Sequence, residues 1–327
     1  MEFGTAIPQW LMHQEIAAGR RDNVIRLIKA IEDAGYAYIS VGDHIVHPGV
    51  SHLEGEDPQK VIYGDIFSVL TFYAAYSTKL RLAIGVLILP YRQPFQAAHA
   101  AATVDQLSGG RLILGVGSGY ARVEFDTFGI PLQERGPMSD EYLDIMSALL
   151  SGETVTHKGR YYDFHEISLM VRPLQKPRPP IWVGGSGKRA LERAINRGDV
   201  WEPIASGLPA AGKRKIRVTV TPRELDEELD YADEKRVDLG KPPLGIRLSA
   251  STAMRFVKRP EALEGQPKDV RDQLITGTGS AEQLVEQLNA YSEAGAQGVS
   301  MGLTSLTVDD CLRDIEIVAT KIMPGVK

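Results

Sequence analysis

Short hydrophobic runs alternate with amphipathic segments along the whole chain. The runs are rich in aliphatic and β-branched residues, and the segments between them repeat apolar residues every three or four positions. This alternation is typical of parallel strands that are joined by crossover helices. We therefore predict eight strands, at Phe3–Ile7, Ala37–Val41, Leu80–Leu87, Leu112–Val116, Ile181–Gly184, Val200–Pro203, Gly245–Ala250 and Gly298–Gly302.

Several of the amphipathic segments also carry signals for the start or the end of a helix. Asp22 is predicted to cap a helix that ends at Gly35. Pro94 is expected to open a helix over Phe95–Leu107, which the Ser-Gly-Gly sequence from Ser108 stops. The other predicted helices are Ser139–Leu150, Lys188–Asn196, Arg223–Asp238, Ala281–Ala294 and Val308–Met323.

The third and fourth predicted strands are almost continuously hydrophobic, which indicates strands buried on both faces. Eight strand–helix units favour a closed TIM (β/α)8 barrel over an open α/β sheet. We expect one domain over residues 1–327. Two loops interrupt the pattern: the polar segment His47–Gly64, and Thr154–Pro180, which is predicted to insert a hairpin pairing VTHKGRYYDF with SLMVRPL. Either loop could wall a site, cover a barrel end or contact another subunit.

Candidate chemistry follows the strand ends, because the active sites of such barrels lie at the carboxyl ends of the strands. Gly42-Asp43-His44 follows the second strand. The imidazole of His44 can exchange a proton near neutral pH, so His44 is the candidate general acid or base. The alternative is that Asp43 and His44 form a pair that only stabilises the loop. After the sixth strand, Trp201-Glu202 is expected to offer an aromatic wall beside a carboxylate.

Glycines follow or interrupt three of the predicted strands. Gly85-Val86 lies inside the third strand, where a glycine usually marks a bulge or a close approach to the backbone. The run from Gly115 to Tyr120 could admit a flat ring or a phosphate, but it is a weak dinucleotide motif because it follows the fourth strand. Gly184-Gly185-Ser186-Gly187 enters a helix, whose free amides could bind an anion.

Charge and composition exclude several classes of partner. The 37 basic and 42 acidic residues leave a net charge of -5, so we expect no nucleic-acid partner. Lys213-Arg214-Lys215 is predicted to be a solvated loop, with a contact to an anionic cofactor tail as the alternative. Cys311 is the single cysteine, which suits a reducing compartment. Without a leader or a run of apolar residues long enough to cross a membrane, a cytoplasmic protein is expected.

Taken together, six segments of the chain resemble the luciferase-like monooxygenase superfamily and, within it, the probable coenzyme F420-dependent oxidoreductases. The segments are VGDHIVHP, LPYRQP, DQLSGGRLILGVGSGY, EFDTFGIP, RPPIWVGGSGKRALERA and YSEAGAQGV. The resemblance implies a TIM barrel with an insertion after the fourth strand, a flavin or deazaflavin at the barrel mouth, and a homodimer.

The resemblance also implies roles for single residues. His44 would be catalytic, near the reactive face of the cofactor ring, and a non-prolyl cis peptide bond would fall on Gly85-Val86. Phosphate contacts of the family fall on Ser118, Gly119, Ser186 and Gly187. The full set of expected cofactor-binding residues is Asp43, Gly85, Val86, Gly117, Ser118, Gly119, Tyr120, Gly184, Gly185, Ser186 and Gly187.

Two positions depart from the sugar-phosphate dehydrogenases of this superfamily. Tyr120 stands where those enzymes carry a catalytic Glu, and Pro48 stands where they carry a Trp. We therefore do not expect sugar-phosphate oxidation by that mechanism. His44 is expected to supply the proton alone, with Tyr120 stacking or donating a hydrogen bond.

The leading hypothesis is a coenzyme F420-dependent oxidoreductase that transfers a hydride to or from a small organic substrate. The first alternative is an FMN-dependent monooxygenase that uses molecular oxygen. Two others are a cofactor-binding barrel without catalysis and a metal-dependent hydrolase. The hydrolase is poorly supported, because the first strand ends at Ile7-Pro8 without the His-x-His ligands of such barrels.

Overall fold

The computed structural model describes residues 1–46, 62–203, 220–249, 281–303 and 305–327. Most of the polar loop predicted at His47–Gly64 lies outside the described residues, and so does the basic cluster Lys213-Arg214-Lys215.

Eleven strands are present in the described part of the chain, and nine of them belong to one sheet. They are β1 (Glu2–Thr5), β2 (Tyr38–Val41), β3 (Arg81–Ile84), β4 (Leu87–Ile88), β5 (Leu112–Gly117), β6 (Val155–Lys158), β7 (Asp163–Ile167), β8 (Ile181–Gly184), β9 (Val200–Glu202), β10 (Gly245–Ser249) and β11 (Gly298–Ser300).

Parallel pairing closes this sheet into a barrel. The strand order is β3-β2-β1-β11-β10-β9-β8-β5, and β5 then pairs with β3 through Leu82↔Leu112 and Ala83↔Ile113. The short strand β4 continues the third barrel strand and pairs with β5 through Leu87↔Val116. All eight predicted strands are therefore present, and the predicted TIM barrel is confirmed.

The third barrel strand is divided, although a continuous strand was predicted over Leu80–Leu87. Gly85 and Val86 separate β3 from β4, and the peptide bond between them is cis, as the family resemblance implies. The glycine inside this apolar run thus marks a real break at the carboxyl end of the barrel.

Helices lie between and after the barrel strands. They are α1 (Gln9–Ala17), α2 (Arg21–Asp33), α3 (Ile66–Tyr76), α4 (Pro94–Leu107), α5 (Arg122–Thr127), α6 (Arg135–Leu150), α7 (Lys188–Arg197), α8 (Pro222–Asp238), α9 (Ala281–Glu293) and α10 (Val308–Ile317). A π-helical turn at Val318–Ile322 and a 3-10 turn at Met323–Gly325 continue α10.

Three of these helices were not predicted. The sequence of α3, IFSVLTFYAAY, is apolar on nearly every side, so it lacks the polar face of an amphipathic helix. The apolar residues of α1 likewise form no single stripe, and α5 has only six residues. Two helix starts also differ: Asp22 lies inside the first turn of α2, and α6 begins at Arg135 because Pro137 is tolerated in a first helical turn.

The predicted insertion contains a hairpin, but its second strand differs from the prediction. β6 pairs with β7 antiparallel, through His157↔Phe164 and Lys158↔Asp163, so the chain turns earlier than expected and SLMVRPL lies outside the hairpin. The carboxylate of Glu141 on α6 accepts hydrogen bonds from the backbone N–H groups of the turn residues Arg160, Tyr161 and Tyr162. These bonds hold the turn in place.

The buried apolar residues form an inner and an outer core. Tyr38, Ala83, Ile113 and Trp182 pack together inside the barrel, with Val200 against them. The larger core lies between the outside of the barrel and the surrounding helices. None of the described helices is long and apolar enough to cross a membrane.

Candidate active site

His44 is paired with a buried carboxylate at the carboxyl end of β2. Its Nδ1 atom lies 2.8 Å from Oε2 of Glu124, which belongs to the first turn of α5 and is only 1% exposed. The backbone N–H of Ile45 donates to Oε1 of Glu124 at 2.9 Å, and the hydroxyl of Tyr91 donates to Oε2 at 3.1 Å. These hydrogen bonds hold the Glu124 carboxyl in place beside His44.

Tyr91 stays protonated in this arrangement. Burial and the negative charge of Glu124 both raise the pKa of its phenol. In the tautomer that carries its proton on Nδ1, His44 donates to Glu124, and Nε2 is then the imidazole atom that can exchange a proton with a ligand.

The carboxylate of Asp43 points away from His44, and both of its oxygens accept hydrogen bonds from other residues. Its two oxygens accept hydrogen bonds from Nη1 and Nη2 of Arg92, at 2.5 and 2.8 Å, and the backbone N–H of Ile88 donates to it at 3.0 Å. Asp43 therefore ties the end of β2 to β4. Asp43 and His44 do not form a pair with each other, so each of the two neighbours anchors a different side of the mouth.

Val86 fills space that Gly117 and Gly184 leave open. A Cβ atom added at Gly117 would lie 2.6 Å from Cγ2 of Val86, and one at Gly184 would lie 2.8 Å from its Cγ1. At Gly115 an added Cβ would lie 1.8 Å from the carbonyl oxygen of Ile84. The absence of side chains at these glycines thus allows the divided third strand to pack closely against β5 and β8. Gly85 is exposed and Val86 half-buried, so this pair forms an open surface at the mouth, which we call the Gly85–Val86 platform.

Aromatic and aliphatic side chains surround His44 on the outside. The His44 ring lies 4.9 Å from the ring of Tyr63 and 6.0 Å from that of Tyr120, and both contacts are edge-on. Tyr120 is 69% exposed, and Ile45 and Ile62 are exposed as well. A group of exposed large apolar residues at one end of a barrel indicates a surface that binds a ligand.

The two predicted phosphate loops are neighbours, because β5 pairs with β8. Ser118 and Gly119 follow β5, and Ser186 and Gly187 follow β8. Gly187 is exposed and immediately precedes the first turn of α7, where backbone N–H groups favour an anion. Gly185 has a φ of +123°, which favours glycine, and its N–H donates to the carbonyl of Glu202 at 3.1 Å.

The prediction for Trp201 is wrong, whereas Glu202 lies at the barrel mouth. Trp201 is fully buried in the outer core, and its indole N–H donates to the carbonyl of Gly185 at 2.7 Å, so it forms no wall of the site. Side chains alternate along a strand, so Glu202 points inward. Burial raises the pKa of the Glu202 carboxyl to about 7.

Three residues of this arrangement were missed from the sequence. Glu124, Tyr91 and Arg92 all lie in segments that carry the family resemblance, but no spacing rule connects them with His44 or Asp43. The sequence therefore left His44 without a carboxylate partner, and the structure supplies one in Glu124.

A family model described as luciferase-like monooxygenase matches residues 1–222 of the chain. Among curated proteins, the uncharacterized protein y4vJ of Sinorhizobium fredii is 33% identical over 61% of this chain, and the match spans 54% of the relative's own length. The 5,10-methylenetetrahydromethanopterin reductase of Archaeoglobus fulgidus is 25% identical, with 92% of this chain and 94% of that protein covered.

Solved structures share the fold. The coenzyme F420-dependent tetrahydromethanopterin reductase of Methanopyrus kandleri superposes with a TM-score of 0.72 at 19% identity, over 100% of this chain and 99% of that one. A type II Baeyer-Villiger monooxygenase from Pseudomonas putida, solved with FMN, has a TM-score of 0.73 at 15% identity, over 100% and 99%.

Proposed function

The chain belongs to the luciferase-like monooxygenase family, and on this basis we propose that it is a coenzyme F420-dependent oxidoreductase that transfers a hydride to or from a small organic substrate. The observation that carries the proposal is the His44–Glu124 pair beside the open Gly85–Val86 platform. It joins a proton-exchanging imidazole to a surface on which a flat ring can lie.

The residues at the mouth fit such a ring. Gly85 presents exposed backbone without a side chain, and Val86 presents an apolar side chain that the glycines of β5 and β8 hold from behind. The loops after β5 and β8 would bind the anionic tail of the cofactor through Ser118, Gly119, Ser186 and Gly187. A bound deazaflavin would supply the hydride chemistry, which the protein's own side chains do not provide.

His44 is the catalytic residue of the proposal. In the oxidation of an alcohol, Nε2 of His44 would accept the hydroxyl proton of the substrate as the hydride leaves the neighbouring carbon. In the reverse direction, the same atom would return the proton to the carbonyl oxygen. Glu124 would act as a positioning residue, because it fixes the tautomer of His44 and stabilises the imidazolium.

One observation supports the FMN-dependent monooxygenase as the second candidate. Exposed apolar and aromatic residues lie near His44. Once a substrate covers these residues, they could keep water out of the site in which a flavin activates oxygen. The fold likeness to an FMN-bound Baeyer-Villiger monooxygenase agrees with this possibility.

Cofactor titration tests the proposal. The purified protein is titrated with oxidised coenzyme F420 and, separately, with FMN, and the quenching of ligand fluorescence is followed. We expect tighter binding of F420, and tighter binding of FMN would overturn the first choice. His44→Ala should retain cofactor binding and lose turnover. Unchanged turnover in this variant would remove His44 from the mechanism.

A further inference from the structure

A buried carboxyl lies inside the barrel on the side opposite to His44. In the closed strand order, β9 is four strands away from β2 in both directions. Val200 packs against the inner core, whereas Trp201 belongs to the outer core, so the next side chain in β9, that of Glu202, points to the inside. Glu202 is 6% exposed.

Glu202 borders the Gly85–Val86 platform. Gly184 is its register partner on the adjacent strand, and the side chain of Val86 packs against Gly184. Neighbouring strands are about 4.8 Å apart, and Gly184 has no side chain to fill the space between Val86 and Glu202. A molecule lying on the platform would therefore reach the Glu202 carboxyl at its inner edge.

The cation beside Glu202, Arg247, pairs with another carboxylate through one of its nitrogen atoms. β9 pairs with β10 through Val200↔Gly245 and Trp201↔Ile246. The next residue of β10, Arg247, therefore lies beside Glu202 and also points inward. The guanidinium of Arg247 lies 4.7 Å from the ring centre of Trp182, and its Nη2 atom lies 2.5 Å from the carboxylate of Glu2. Nη2 of Arg247 is thus paired towards the amino-terminal end of the barrel, while Nε and Nη1 are buried without a hydrogen-bond partner in the described part of the chain.

We propose that Glu202 is a second proton-carrying residue of the site, whose carboxyl O–H donates a hydrogen bond to the polar edge of a flat heteroaromatic ring bound on the Gly85–Val86 platform. The proposal rests on the proposed function for the identity of that ring. It places two proton-exchanging groups on opposite sides of the mouth: His44 on β2 and Glu202 on β9.

The surroundings of Glu202 favour its protonated form. Burial raises its pKa to about 7, and the positive charge of Arg247 opposes this shift only in part. Among the described residues, Tyr38 is a further titratable group near Glu202, and it stays protonated because burial raises its pKa. Glu2 and Arg81 lie beyond Arg247 and pair with each other. A protonated carboxyl can donate to a ring carbonyl, whereas an ionised one repels it.

The affinity for a cofactor should consequently depend on pH through Glu202. We would measure the dissociation constant of oxidised coenzyme F420 by fluorescence quenching from about pH 6 to about pH 9, for the wild-type protein and for Glu202→Gln. Gln keeps a donor of the same shape and does not titrate. The ratio of the two constants cancels any titration of the ligand itself. We expect this ratio to rise roughly tenfold across the range.

Two control variants separate Glu202 from other titrating groups. Glu15→Gln removes another buried carboxyl, whose pKa is lowered to about 2 by hydrogen bonds from Arg20 and Asn23, and this variant should follow the wild-type profile. In a protein that carries His44→Gln, adding Glu202→Gln should give the same rise in the ratio of dissociation constants with pH. A flat ratio between wild type and Glu202→Gln would overturn the inference while leaving the proposed function intact.

If F420 binds at no pH and FMN binds, the proposed function fails, and the same comparison with FMN still tests Glu202. A second measurement needs no folded variant. The infrared carbonyl band of a protonated carboxylic acid in the wild-type protein should shift when the cofactor is added at about pH 6. The absence of any shift would also overturn the inference.

Discussion

Nδ1 of His44 lies 2.8 Å from Oε2 of Glu124, a carboxylate that is buried at the start of α5. The two residues are 80 positions apart in the chain, and the barrel brings them together because α5 follows β5 and extends over the end of β2. In consequence, the candidate general acid or base has one nitrogen committed to a carboxylate and the other open to a ligand.

Glu124→Gln should reduce turnover while the protein still binds its cofactor. The substitution removes the negative charge that stabilises the His44 imidazolium and makes the tautomer of the ring ambiguous. We expect kcat to fall about 10- to 100-fold, which is the usual cost of losing such a partner. Steady-state kinetics with a turned-over substrate and cofactor titration provide the two measurements.

Asp126→Asn is the matched control for this variant. Asp126 lies on the same helix, but its side chain is 61% exposed and pairs with Arg122 at 3.8 Å. Its kcat should equal that of the wild type. Equal kcat values for Glu124→Gln and Asp126→Asn would show that Glu124 has no influence on His44.

Asp43→Ala should lower the free energy of unfolding by more than the loss of a small side chain would explain. The substitution leaves the mostly buried guanidinium of Arg92 without its bidentate partner. Breaking such a pair from one side costs about 3–5 kcal/mol in the free energy of unfolding. The measurement is urea unfolding of the single variant and of the double variant Asp43→Ala/Arg92→Met.

The double variant should recover part of that loss, because no unpaired charge remains buried. Asp126→Ala, which breaks an exposed pair, is expected to cost less than about 1 kcal/mol. Additive losses in the double variant would indicate that the Asp43–Arg92 pair is not the source of the effect.

The barrel itself could be predicted from the sequence, because each strand is a short apolar run and each intervening segment has a helical period. The glycine at position 85 even marked where the third strand divides. Helix α3 was missed for the same reason that the strands were found: its residues are apolar on nearly every side, so its pattern contains no helical period.

The arrangement of the site was only partly predictable. His44 followed from its place after β2, but its pairing with Glu124 depends on how the loop after β5 folds back, and no local pattern encodes that. The orientation of β9 was equally hidden. With only three residues in the strand, the sequence does not tell whether Trp201 or Glu202 faces the interior, and the inward residue proved to be the carboxylate.

Gly184→Ala should disturb the platform without unfolding the barrel. The added Cβ would lie 2.8 Å from Cγ1 of Val86 and must displace that side chain. We expect cofactor affinity to fall at least about tenfold, since the ring would lose its flat support. Val86→Ala in the same protein removes the clashing atom and should restore part of the affinity.

Gly136→Ala serves as the control, because an added Cβ there meets only Nη2 of Arg193, at 3.9 Å. Its affinity and its unfolding midpoint should match or exceed those of the wild type, since alanine is the better residue inside a helix. If Gly184→Ala binds the cofactor as tightly as Gly136→Ala, the platform does not support the ring.

The stability of the protein should fall as the pH rises from about 4.5 to about 7, through Glu202. Its pKa is about 7 in the folded protein, against 4.5 for an ordinary glutamate, so the folded state binds more protons than the unfolded state in this window. Stability from this group is complete below the lower value and is lost as the pH rises through the upper one. At about 1.4 kcal/mol for each pKa unit, the loss is at most roughly 3 kcal/mol.

Urea unfolding of the wild type and Glu202→Gln at several pH values measures this loss. The free energy of unfolding of the variant should rise relative to that of the wild type as the pH increases to about 7, and the difference should stay constant above that pH. Glu15 contributes with the opposite sign and in another window: its pKa is lowered to about 2, so its stabilisation disappears only below about pH 4.5. Parallel stability curves for the two proteins between pH 4.5 and 7 would mean that the Glu202 carboxyl carries no extra proton in the folded state.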